Sequence, residues 1–225
     1  MTRPFFISGL IGLLVVLMST AMLFVFPTKA PGLPEGFATP IIAFEFAKSP
    51  ADIITLFGPK DSPERDAMVR SMDLGNKLDY VYMVLYTAFL ALFSVQVVRR
   101  TGLRIFYLAA GLAGVALVGD ALENLRLFAI TSSLDTMDIE ADLAALHVFT
   151  WAKWGSLALI FPALSPYFFK GGRFSMTIGI VGIFCPVLGI AGYFHPGAFC
   201  EMFSVSVAVM FLLMIAYCLI YKEPV

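Results

Sequence analysis

Charge is what this chain has least of. Of its 225 residues only 14% are Asp, Glu, Lys or Arg, against about 25% in ordinary soluble domains, while 60% are hydrophobic and the mean hydropathy is +0.88. An ordinary soluble domain is excluded, and an integral membrane protein is expected. Basic surplus is also missing: 15 Lys and Arg face 16 Asp and Glu. With no basic, aromatic-interleaved patch, a nucleic-acid partner is excluded. The three cysteines, Cys185, Cys200 and Cys218, lie in or beside apolar runs. An odd number without a close pair predicts neither a disulfide framework nor a zinc motif. Only two histidines occur, His147 and His195, and there is no HExxH, GxGxxG, glycine-rich phosphate loop or nucleophile elbow. His147, Glu123, Asp120 and His195 match no metal-ligand spacing, and His195 precedes Pro196 where a turn is the commoner use. No metal and no cofactor is therefore expected.

What is present is long apolar runs. A bilayer core about 30 Å thick needs roughly 20 helical residues, and six stretches supply them: 4–26, 80–98, 105–125, 143–169, 174–194 and 202–221. The expected fold is all-α, a six-helix transmembrane bundle forming a single transmembrane domain over 1–225, with an external loop at 27–79 that is partly helical. The first run is longer than the roughly 7 to 15 residues of a signal-peptide core, so it is read as a retained span. No internal repeat relates the first three spans to the last three.

Orientation follows from the bases of the short loops. With both termini cytoplasmic, Arg3, Arg99, Arg100, Arg104, Lys170, Arg173 and Lys222 all fall inside, and the loop bearing Asp135, Asp138, Glu140 and Asp142 falls outside. The expected location is an inner or plasma membrane, first loop external.

Within that loop, Ser49-Pro50-Ala51-Asp52 is a helix start with a capping-box acid. Ile53, Ile54, Leu56 and Phe57 follow, then a Gly58-Pro59 stop. The product is a short amphipathic helix along the outer interface or roofing the bundle. A second start at Ser62-Pro63-Glu64 predicts a helix running towards the second span, interrupted near Gly75. Small residues at Ala110, Gly111 and Gly114, and at Gly179, Gly182, Gly189 and Gly192, predict close helix approaches. Pro162 and Pro186 predict bends in the fourth and fifth spans.

The most informative stretch is GDALENLRLFAI, residues 119–130. At 100° per residue Asp120, Glu123 and Asn124 share one helix face, and Arg126 is placed to pair with Glu123. On the fourth span His147, Thr150, Trp151 and Trp154 share a face, with Lys153 close beside it. Counting rises, Asp120 lies roughly 7 to 9 Å below the outer boundary, Lys153 roughly 12 to 15 Å and His147 roughly 3 to 6 Å. An isolated charge near a helix centre costs about 2.5 to 3.5 kcal/mol. An Asp120–Lys153 ion pair is therefore expected, with His147 above it near Glu123 and Asn124. Asp79, Tyr82, Met83 and Tyr86 of the second span join at the same level.

Several ionisable groups in one half of a bundle point to a polar pocket open to the outside. Its expected residues are Asp79, Asp120, Glu123, Asn124, His147, Trp151 and Lys153, and its expected occupant is a small or lipid-like ligand, in a carrier or a sensor. Two alternatives stay open: a membrane-embedded enzyme using the same acids with His147 for acid–base chemistry, and a non-catalytic structural subunit of a membrane complex. Membrane lipids and that ligand are the expected partners, and a second copy or a complex subunit is compatible with the sequence.

Overall fold

The structure, a computed structural model, describes residues 2–223. Its described residues form helices and no strand: α1 (Phe6–Leu23), α2 (Pro40–Glu45), α3 (Pro50–Phe57), α4 (Pro63–Thr101), α5 (Tyr107–Ser132), α6 (Glu140–Phe168), α7 (Arg173–Phe194) and α8 (Ala198–Ile220). The six longest are long and apolar enough to cross a membrane. The protein is an all-α, six-helix membrane bundle, as the apolar runs predict.

The six spans close into a ring. α1 packs on α4, α4 on α5, α5 on α6, α6 on α7 and α7 on α8, and α8 returns to α1. The first and last described residues meet: the Thr2 and Glu223 backbones exchange hydrogen bonds of 3.1 and 3.0 Å, and the Glu223 carboxylate pairs with Arg100. Above this terminal end the bundle is filled by aromatic rings. Phe93 stacks on Phe5 at 4.9 Å and on Phe168 at 5.5 Å, and all three are fully buried. Large apolar side chains such as Leu17, Phe24, Val118, Phe184 and Ile190 point outwards, the pattern required of surfaces solvated by acyl chains rather than water.

The opposite, loop end has its own core. α3 begins with the capping box read from the sequence, Asp52 N–H donating to Ser49 Oγ while the Asp52 carboxylate accepts from the Ser49 N–H. Its buried Ile53, Leu56 and Phe57 pack with Ala43 and Phe44 of α2, Met68 and Met72 of α4, Leu127 and Ile130 of α5, and Leu143 and Leu146 of α6. The amphipathic helix thus roofs the bundle. α2 was not foreseen; Pro40 opens it, and Glu201 of α8 holds its start by accepting from the N–H groups of Ala38 and Thr39 and from the Thr39 hydroxyl.

Several expectations are corrected. α4 runs unbroken through Gly75 to Thr101, because its N-terminal half packs in the roof core. Gly75 serves an approach instead: a Cβ there would overlap the Phe26 ring. Gly111 and Gly114 face open space, so they do not draw helices together. The close approach of α5 comes at Gly119, where a Cβ would stand 2.8 Å from the Lys153 backbone nitrogen. The α7 glycines behave as expected, Gly182 and Gly189 lying against Phe161, Met210 and Phe203. Pro162 and Pro186 lie inside continuous helices.

Candidate functional site

Gly119 decides where the charges meet. With no side chain between them, α5 and α6 approach at the level of Ala152 and Lys153, which sets Lys153 beside the next residue of α5, Asp120. The Lys153 Nζ stands 3.3 Å from Asp120 Oδ1, so the expected ion pair forms. It has company. Glu123, one turn along α5, also pairs with Lys153, and so does Glu45 of α2, at 3.2 Å. One ammonium thus lies within ion-pair distance of three carboxylates.

The cluster is deeply enclosed: Lys153 is 6% exposed, Asp120 2% and Glu123 0%. Buried charge is tolerated only when paired and hydrogen-bonded, and three further side chains reach the same acids. Tyr86 donates its hydroxyl to Asp120 Oδ2 at 2.8 Å, and the Trp154 indole N–H donates to Glu45 Oε2 at 2.8 Å. Thr150 Oγ1 lies 2.6 Å from Glu123 Oε1 and 3.0 Å from the Glu45 carbonyl oxygen. Lys153 also lies 5.3 Å from the Trp154 ring centroid, within cation–π range. Burial is the largest influence on Glu45 and holds its carboxyl above the ordinary range; Lys153 pulls it down and Asp120 pushes it up.

Beside the cluster lies a cavity of about 440 Å³. Glu45, Asp79, Asp120 and Lys153 line it, with aromatic walls from Phe26, Tyr82, Tyr86, Trp154 and Phe211 and apolar ones from Met22, Ile42 and Leu157. Asp79 accepts from Asn124 Nδ2 at 2.7 Å and makes no ion pair among the described residues. Asn76 also lines the cavity; it is 1% exposed and its Nδ2 has no hydrogen-bond partner.

Of the residues singled out from the sequence, Asp79, Asp120 and Lys153 line the cavity, Asn124 holds Asp79, and Glu123 stands behind Lys153. His147 and Trp151 do not join them. His147 borders a separate recess with Lys48, Ser49, Pro50 and Glu140, and its ring meets Trp151 and Tyr193. Trp151 lies parallel to Phe203 at 6.4 Å and edge-on to Phe46 at 5.3 Å, and Trp154, one turn on, takes the cavity wall. The α6 face is rotated from the expected one because Lys153 itself turns inwards to the acids. Arg126 pairs not with Glu123 but with Asp142 at 3.0 Å, since Glu123 points to the buried side. Glu45 and Asn76 were missed. The signal for Glu45 was a lone acid inside the apolar run PIIAFEF; Asn76 had none.

Among the described residues no three His, Cys, Asp or Glu side chains are arranged to hold a metal ion; the point on which Glu45, Asp120 and Glu123 converge is filled by the Lys153 ammonium. No family model, curated protein sequence or solved structure matches the chain, and its functional assignment rests on the chemistry of this cavity.

Proposed function

We propose that this integral membrane protein binds a small or lipid-like ligand in the cavity at the loop end, as a carrier or a sensor. The observation that carries this reading is one polar-floored, aromatic-walled cavity of about 440 Å³, inside the roughly 300 to 1,000 Å³ common for small-molecule sites. A cluster serving only to fix helix register has no need of one. The inner part of the cluster does serve packing: Glu123 and Thr150 join α5 to α6 and meet α2. Asp79, with no ion pair among the described residues, is the acid left for a ligand, and Asp120 lines the cavity beside Lys153. Acid–base catalysis is less well supported, because His147 borders a different recess.

The bases gathered at the terminal end, against the acids of the α5–α6 loop, favour cytoplasmic termini and a cavity opening outwards. Met22 and Leu23 of α1 border the cavity, and Leu23 is 72% exposed, which supports entry of an amphipathic molecule from the lipid side. Native mass spectrometry of protein released from mild detergent tests the proposal. Wild type carries a non-covalent adduct that the cavity-filling variant Leu157→Trp lacks at matched thermal stability. A wild type free of adduct, or an adduct held equally by the filled variant, overturns it.

A further inference from the structure

Resting on that reading, we infer that the ligand is an amphipathic organic cation, its ammonium seated between Asp79 and Asp120, and that it enters in exchange for protons.

Charge arithmetic leads there. Glu45, Asp79 and Asp120 line the cavity, Glu123 stands behind it, and against these four acids there is one cation, Lys153, which pairs with Glu45, Asp120 and Glu123. The titratable groups facing the cavity are Glu45 of α2; Asp79, Tyr82 and Tyr86 of α4; Asp120 of α5; and Lys153 of α6. The lining residues of α1 and α8, Ser19, Met22, Leu23 and Phe211, carry no charge. Lys153 makes its ion pairs with Glu45, Asp120 and Glu123 and none with Asp79. An uncompensated negative charge at this depth is costly, and only two partners remove it: protons, or a cation supplied by the ligand. An anionic ligand adds to the surplus, and a neutral one leaves it standing.

The walls suit an organic ammonium: Tyr82, Tyr86 and Trp154 present rings beside the acids, as cation recognition requires. Asn76, whose buried amide nitrogen meets no protein acceptor, calls for an acceptor atom in the cavity, which an ammonium head does not supply and water or another part of the ligand does. A bare metal ion is poorly served, because Lys153 already occupies the convergence point. On binding, one ammonium enters and the proton it replaces leaves to water. No covalent bond changes.

The test uses full-length protein in lipid nanodiscs. Only two tryptophans exist, Trp151 and Trp154, so Trp151→Phe leaves Trp154 as the sole reporter on the cavity wall. Its fluorescence is titrated with octylamine, 1-octanol and octanoate, which share a tail and differ in head charge. Only octylamine is expected to give a saturable change, with proton release recorded by a pH dye in weak buffer, and Asp79→Asn is expected to weaken it about tenfold, the loss of roughly 1.4 kcal/mol. Equal saturation by octanol, no proton release, or unaltered affinity in Asp79→Asn overturns the cation assignment while leaving a ligand cavity standing. Saturation by none of the three, in a protein of unchanged helicity, overturns both.

Discussion

Gly119 of α5 lies so close to Lys153 of α6 that a Cβ at position 119 would stand 2.8 Å from the Lys153 backbone nitrogen. A backbone cannot withdraw as a flexible side chain can, so the helices must part for any larger residue. Gly119→Val is expected to destabilise the protein by about 1 to 3 kcal/mol, the usual cost of overpacking. Gly111→Ala, where a Cβ meets open space, gains helix propensity of up to about 1 kcal/mol. Chemical denaturation in detergent compares them, and equal effects would remove Gly119 from its role in setting the ion cluster.

Lys153 balances three carboxylates, so its loss leaves like charges facing one another. Lys153→Met is expected to cost about 3 to 5 kcal/mol, the range for stranding a buried charge. Adding Glu123→Gln removes one stranded acid and restores part of that stability, whereas independent sites would simply add their losses. A double-mutant cycle by denaturation reads the coupling, and strict additivity would contradict the geometry.

The Arg126–Asp142 pair offers a control. Both side chains are partly open, 36% and 22% exposed, and exposed pairs contribute about 0 to 1 kcal/mol. Asp142→Asn is therefore expected to change the unfolding midpoint far less than Lys153→Met.

Glu45 couples the roof to pH. Burial raises its carboxyl above the ordinary range despite the pull of Lys153, so the folded protein holds the proton more tightly than the unfolded chain. The corresponding stability is full below the unfolded pKa and is lost as pH rises through the folded value. Glu45→Gln is expected to remove that part of the decline, while hydrogen exchange over residues 38–58 in wild type quickens as pH rises. An exchange rate that, after correction for intrinsic chemistry, does not vary with pH would contradict it.

The spans, the capping box at Ser49 and the Asp120–Lys153 pair were legible in the sequence because each is a local rule: run length, a start signal, and equal depth on adjoining helices. Glu45 and Asn76 were not, because their roles depend on α2 folding back over the bundle, a long-range contact fixed in part by Glu201, 162 residues from Thr39. His147 was misplaced for a related reason. Helical spacing gives the faces of α6 relative to one another, but the rotation of the helix was set by Gly119 admitting Lys153 to the acids. Gly75 read as a helix breaker since a lone glycine looks the same whether it ends a helix or receives a ring such as Phe26.

The most direct measurement is charge-selective labelling of the cavity wall. Leu157, 5% exposed and lining the cavity, is changed to Cys in a background lacking Cys185, Cys200 and Cys218. A cationic trimethylammonium-ethyl methanethiosulfonate is then compared with its anionic sulfonatoethyl counterpart. A water-filled recess lined by acids focuses cations, so labelling by the cationic reagent is expected to be at least about tenfold faster and to slow to the anionic rate in Asp79→Asn with Asp120→Asn. No labelling by either reagent, or equal rates in the acid-lined protein, would contradict a wet, cation-selective cavity.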